Sequence, residues 1–283
     1  VRRFTCFAVA DWSGAKGSRH PGIALAVCDV GDDAPTLVAP PERHWSRTAI
    51  LEWVLAQRDD MLIGFDFSFA PPLVTRGNYL PGDDVPEGAA AFRAYVDALC
   101  DDEDMGAASF LERHHRRHFY FGAADGRKAD YMHLRVCEAT YNAGGGGKPS
   151  TVYDAIGAAQ VAKASFAGMR LLNRLQGHVP VWPFDPLPDT GPAVVEIYTS
   201  IAARAAGMRK GRSKLRDGAA LDEALAVMGS APHVGLSDYN DHATDAILTA
   251  AWLRANAGRQ GNWEPAGLTP RVAQTEGWTF GVV

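Results

Sequence analysis

Short apolar runs that each end on a single acid recur along this chain, and they narrow its possible folds more than any other feature. Phe4-Thr5-Cys6-Phe7-Ala8-Val9-Ala10 leads into Asp11, Met61-Leu62-Ile63-Gly64-Phe65 into Asp66, and Ala193-Val194-Val195 into Glu196. The runs have strand length, and near-continuous apolarity is the pattern of strands covered on both faces. A carboxylate at the end of such a strand is expensive to bury unless solvent, a partner or a metal receives it. A later stretch, Asp241-His242-Ala243-Thr244-Asp245-Ala246-Ile247-Leu248, has helical composition and opens with two more acids. Their i, i+4 spacing puts both on one helix face. The expectation is that these acids converge on a divalent-metal site.

Between these runs the chain reads strand, strand, strand, helix, strand. After the Gly-rich, basic turn Ser13-Gly14-Ala15-Lys16-Gly17, residues 22–28 form a second apolar run, and turn chemistry at Gly31-Asp32-Asp33-Ala34-Pro35 separates it from a third at 36–38. Strands this close in sequence pair most simply as an antiparallel meander. Residues 45–56 have helical spacing with Ser46 as cap. Phe69-Ala70-Pro71-Pro72 then breaks the regularity. Helices are expected over 89–99, 107–117 and 151–175, with an irregular polar stretch at 125–148. Helices over 200–206, 221–228 and 241–255 follow, and the tail from 259 to 283 has no usable period. The predicted organisation is a single α/β domain over 1–283, its core at about 1–73 and 183–258, with a mainly helical insertion at about 74–182.

A chain of 283 residues, 47% of them hydrophobic, can bury one large core. The net charge of −5 gives no global attraction to nucleic acid, so such a partner needs a local basic patch. Arg204, Arg209, Lys210, Arg212, Lys214 and Arg216 are placed to form one just after the Glu196 run, although a solvated loop has the same composition. Cys6, Cys28, Cys100 and Cys137 stand without a C-x-x-C pair, which suits a reducing compartment. No apolar stretch approaches the roughly 18 residues needed to span a bilayer, and Val1-Arg2-Arg3 carries no cleavage pattern. A cytoplasmic location without membrane contact is therefore expected.

Each acid also has an ordinary reading. Asp11 could be a turn former, Asp66 and Glu196 could pair with a nearby Arg or Lys, and Asp241 could cap its helix with Asp245 in the first turn. Asp238 reads as a loop residue. Gly144-Gly145-Gly146-Gly147-Lys148-Pro149-Ser150 looks like a phosphate loop, but Pro149 follows the Lys and no strand precedes it. His114-His115-Arg116-Arg117-His118 reads as the solvated face of a helix. No Ser-His-Asp order or zinc spacing stands out.

Several longer pieces resemble the RNase H-like superfamily, in which acids on the first strand, the fourth strand and a late helix bind two metals. More narrowly, the chain is similar to an uncharacterised bacterial domain family described as predicted nucleases of RNase H-like fold. The matching pieces are Ala10-Asp11-Trp12-Ser13-Gly14, Ile63-Gly64-Phe65-Asp66-Phe67-Ser68-Phe69-Ala70-Pro71-Pro72 and Lys148-Pro149-Ser150-Thr151-Val152-Tyr153. Further on come Val181-Trp182-Pro183-Phe184-Asp185, Val195-Glu196-Ile197-Tyr198-Thr199-Ser200, Asp241-His242-Ala243-Thr244-Asp245-Ala246 and Glu276-Gly277-Trp278. The resemblance implies an RNase H-like five-stranded mixed sheet flanked by helices, its first three strands antiparallel and its last two parallel to the first. It places Asp11, Asp66, Glu196 and Asp245 at a catalytic metal site, with Asp241 as a further ligand. Thr199 departs from the family's usual Pro, a change expected to affect the turn more than the chemistry.

The function expected from these readings is a Mg2+- or Mn2+-dependent nuclease. Lys16 and the segment containing Arg209, Lys210, Arg212 and Lys214 would hold the phosphates of a nucleic acid or nucleotide. Two other readings fit the same residues. One is a non-catalytic nucleic-acid-binding, nucleotide-binding or interaction module. The other is an actin-like ATP-dependent phosphotransferase, for which Asp11-Trp12-Ser13-Gly14 sets the phosphate-turn Gly one place late.

Overall fold

In the computed structural model, which describes residues 4–147, 149–157, 161–208 and 215–283, five strands form one mixed sheet in the order β3-β2-β1-β4-β5. Strand β1 (Cys6–Asp11) pairs antiparallel with β2 (Ala24–Asp29), which pairs antiparallel with β3 (Thr36–Leu37). On its other side β1 runs parallel to β4 (Met61–Phe65), and β4 runs parallel to β5 (Ala193–Glu196). The close spacing of the first three runs thus gives the expected meander. A parallel pair needs a crossover, and α1 (Arg47–Ala56) supplies it between β3 and β4. The Ser46 side chain caps α1 by accepting the Ala49 N–H at 3.0 Å.

Helices α2 (Ala89–Leu99), α3 (Val136–Ala143) and α4 (Val161–Leu175) lie between β4 and β5. After β5 come α5 (Thr199–Ala205), α6 (Gly218–Val227), α7 (Asp241–Asn256), α8 (Gln260–Trp263) and α9 (Pro270–Thr275). Alternation along the strands divides the buried residues between two faces. Phe7, Val9, Leu62, Val195 and Ile197 pack beneath α7 and α6, while Ala8, Ala10, Ile63, Phe65 and Val194 pack beneath α1 and α4. A third apolar cluster, around Phe92, Phe110, Phe119 and Phe166, lies between α2 and the outer side of α4.

Three expectations need correction. Helix α4 buries Leu171, Leu172 and Leu175 against the sheet, so it forms part of the flanking layer and the appended segment is narrower than 74–182. The stretch 125–148 contains α3, which starts where Glu138 reaches back to the Arg135 N–H at 2.9 Å in a capping box. Residues 107–117 do not form one regular helix. Phe110–His114 make a wide turn closed by the His115 N–H on the Phe110 carbonyl, and Arg116–His118 make a separate tight turn.

The aperiodic tail is core material. Trp278 and Phe280 are fully buried, and Thr279 bridges alongside Glu196, extending the sheet edge beyond β5. The Glu276 carboxylate accepts the N–H groups of Leu73, Val74 and Val136, each at 2.7 Å, and so ties three distant segments together. Single irregular contacts of this kind leave no period in a sequence.

Candidate metal centre

Parallel pairing of β1 and β4 brings two of the predicted acids together. Ala10 is in register with Phe65, and the Asp66 N–H donates to the Ala10 carbonyl at 3.2 Å, so Asp11 and Asp66 stand side by side at the C-terminal ends of neighbouring strands. Both continue the side-chain row that faces α7. Asn240, whose side chain accepts the Ala243 N–H at 3.0 Å, caps α7 and starts it over this edge. Asp245, one turn into α7, lines the same cavity of about 610 Å³ as Asp11 and Asp66.

The charges interact strongly. Burial, the neighbouring Asp11 and, more weakly, Asp245 push the Asp66 carboxyl up to about 8, against the hydroxyl of Thr199, which donates to Asp66 Oδ2 at 3.1 Å. Thr199 therefore contacts one of the predicted acids as well as starting α5. His242 is a second residue that the sequence reading passed over. Its Nδ1 lies 2.6 Å from Asp11 Oδ2, and the ring lines the cavity. Its place between two acids at the start of a helix was the available signal.

Glu196 sits differently. In register with Phe65, it falls on the opposite row from Asp11 and Asp66. Arg135 grips its carboxylate with two parallel contacts of 2.7 and 2.5 Å, Thr279 donates to Oε1 at 2.5 Å, and the Phe69 N–H donates to Oε2 at 2.8 Å. Glu196 is 2% exposed. Its oxygens are thus saturated by protein donors, and it forms part of the cavity wall with Arg135, Glu138 and Ser68. This is the Arg-paired alternative considered for Glu196, which lines the same cavity as Asp11, Asp66 and Asp245 with its oxygens already paired.

Other predicted residues also lie apart. Asp241 occupies the first turn of α7 behind the Asn240 cap, 3.6 Å from the Arg216 guanidinium, and does not line the cavity. Lys16 is exposed and pairs with Glu112 at 3.1 Å, outside the cavity wall. Arg209, Lys210, Arg212 and Lys214 lie outside the described residues. Arg204 donates to the Gly146 carbonyl at 2.7 Å. The Gly-rich stretch follows α3 rather than a strand, and a Cβ on Gly146 would collide with the Tyr141 ring. Tight packing therefore explains that glycine better than a phosphate cradle does.

The strand-end turn is held in place by α4. The Trp12 indole N–H donates to the Ala164 carbonyl at 3.1 Å, and Gly14 lies so close that a Cβ would collide with the backbone of Lys163 and Ala164. Asp11, Asp66 and Asp245 thus line one cavity from two strand ends and a helix, and carboxylates are hard oxygen donors suited to Mg2+ or Mn2+. Among the described residues, no helix is long and apolar enough to cross a membrane. No family model, curated protein or solved structure matches the chain.

Proposed function

We propose that the protein is a metal-dependent phosphodiesterase of RNase H-like architecture, acting on a nucleic acid or nucleotide. The convergence of Asp11, Asp66 and Asp245 on one cavity, where burial first and then the two neighbouring acids raise the Asp66 carboxyl, carries this reading. Crowded carboxylates that resist ionising together are the condition a cation relieves. The 3-2-1-4-5 strand order, with acids ending the two central parallel strands, supports the fold assignment.

Asp11, Asp66 and Asp245 would hold Mg2+ or Mn2+. A bound pair would activate water and neutralise the leaving oxygen of a phosphodiester. The surrounding residues prepare the acids. Thr199 fixes the Asp66 carboxylate through its hydroxyl, and His242 fixes Asp11 through Nδ1. Arg135 and Glu196 neutralise each other in the wall, so Arg135 has little charge left to offer a phosphate. The cavity is therefore rich in carboxylates, and bound cations would offset that charge for a phosphate. The basic segment 204–216 supplies candidate phosphate contacts by its composition, with 209–214 outside the described residues.

The test is calorimetric titration of Mn2+ into the wild type and into the Asp11→Asn/Asp66→Asn variant, followed by a screen for cleavage of DNA, RNA and nucleotide substrates. Binding lost in the variant, together with cleavage lost in the variant, supports the proposal. Equal Mn2+ binding in both proteins, or none in either, would overturn it in favour of a non-catalytic module.

A further inference from the structure

A second group of ligating atoms lies away from the acid cavity. Asp83 sits in the connection from β4 to α2, while His115 and His118 flank the tight turn at Arg116–His118. Asp83 Oδ2 is 2.8 Å from His115 Nδ1 and 2.8 Å from His118 Nε2, and one ligating atom from each of the three residues lies within 4.8 Å of the others. None of the three lines the acid cavity. We propose that Asp83, His115 and His118 form a transition-metal site fitted to Zn2+, separate from the Asp11–Asp66–Asp245 centre.

The donor set is the first argument. Two imidazole nitrogens and one carboxylate oxygen make a three-ligand zinc site with a fourth position for water. Imidazole favours Zn2+ over Mg2+, so the two centres differ in the metal that each selects. The wide turn at Phe110–His114 creates this set, because it brings His115 inward while His114 stays exposed. The expectation of a solvated histidine face fails at His115 for this reason.

Surrounding contacts hold the ligands. The Tyr95 hydroxyl lies 2.9 Å from His115 Nε2, and the ring of His115 packs on Phe110 with centroids 4.6 Å apart. Arg117 pairs with the other carboxylate oxygen of Asp83. Partners on the far side of each ligand fix its orientation in metal sites.

His118 Nε2 supplies a separate observation. It stands 2.8 Å from Asp83 Oδ2 and 3.2 Å from Arg117 Nε. A protonated Nε2 suits the carboxylate but opposes the Arg117 N–H. An unprotonated Nε2 accepts that N–H but turns its lone pair toward another lone pair on Oδ2. A cation bound to Nε2 and Oδ2 would relieve the lone-pair opposition and take the place of the Arg117 Nε–H, while the Arg117 guanidinium keeps its pairing with the other Asp83 oxygen. The side chains of His115 and His118 are 7% and 8% exposed and that of Asp83 is 21% exposed, so the cluster opens to solvent on the carboxylate side. Metal there would clip the β4–α2 connection to the 115–118 turn.

The experiment uses chelator-treated Asp11→Asn/Asp66→Asn protein, which leaves this cluster intact, titrated with ZnCl2 by calorimetry in millimolar Mg2+. One equivalent of Zn2+ per chain is expected. Co2+ in its place should give the visible absorption of a four-coordinate nitrogen/oxygen site, and adding His118→Gln should weaken Zn2+ binding at least tenfold. Proton NMR of the His ring signals gives a reading that needs no further variant, with two imidazoles shifting on Zn2+ addition. Absence of Zn2+ binding, unshifted ring signals, or binding unchanged by His118→Gln would each overturn the site and leave a hydrogen-bonded clamp.

Discussion

Replacing Asp66 with Asn should make the metal-free protein more stable at alkaline pH. The Asp66 carboxyl is raised from an ordinary 3.8 to about 8 by burial, Asp11 and Asp245. A raised carboxyl means that the folded state binds a proton which the unfolded chain releases. The associated stability is complete below about pH 4 and is lost as pH rises through about 8. Holding that proton at a pH above the unfolded value costs about 1.4 kcal/mol for every pH step of one, which sets a ceiling of about 4 kcal/mol at neutral pH. Asp66 is partly open to solvent, which screens it from its neighbours, so an observed effect of about 1–2 kcal/mol is expected. Asparagine keeps the shape and can still accept the Thr199 hydroxyl, but it carries no charge. The assay is urea unfolding of the wild type and Asp66→Asn in EDTA at pH 5.5, 7 and 8.5. Carboxylates remote from the cavity contribute equally to both proteins, so the difference reports on Asp66 and the acids beside it. The variant's advantage should grow with pH, and Mn2+ should reverse it by stabilising the wild type alone. A constant difference across pH, or a variant less stable at pH 8.5, refutes the reasoning.

Glu196→Gln should cost about 3–5 kcal/mol in urea unfolding, because it leaves buried Arg135 poorly compensated. The Mn2+ affinity of the folded variant should stay within about twofold of wild type, since both Glu196 oxygens already serve protein donors. Thr199→Val removes a donor to Asp66, so at pH 7 Mn2+ binding should weaken by about tenfold in calorimetry and recover as pH rises. Trp278→Ala should lower stability by about 3–5 kcal/mol, seen as a shift in the urea midpoint, because a fully buried indole leaves a cavity at the sheet edge.

Much of the fold was legible in short stretches of sequence. Apolar runs ending at Asp11, Asp66 and Glu196 mark strands, Ser46 marks a helix start, and the short gaps between the first three strands dictate a meander. Each depends on interactions within a few residues, and those leave a local pattern. The acids at the ends of β1 and β4 were legible for the same reason. The role of Glu196 was not, because a strand's register decides which face its last residue takes. Pairing Glu196 with Phe65 turns it toward Arg135, 61 residues earlier in the chain, and away from Asp11 and Asp66. The two contacts to Asp66 and Asp11 from Thr199 and His242, the buried tail at Trp278, and the meeting of Asp83 with His115 and His118 are likewise products of tertiary packing. Sequence alone determined which segments form strands and which acids end them. Only the tertiary structure decided which acids share a cavity, because that choice rests on register and on contacts between segments far apart in the chain.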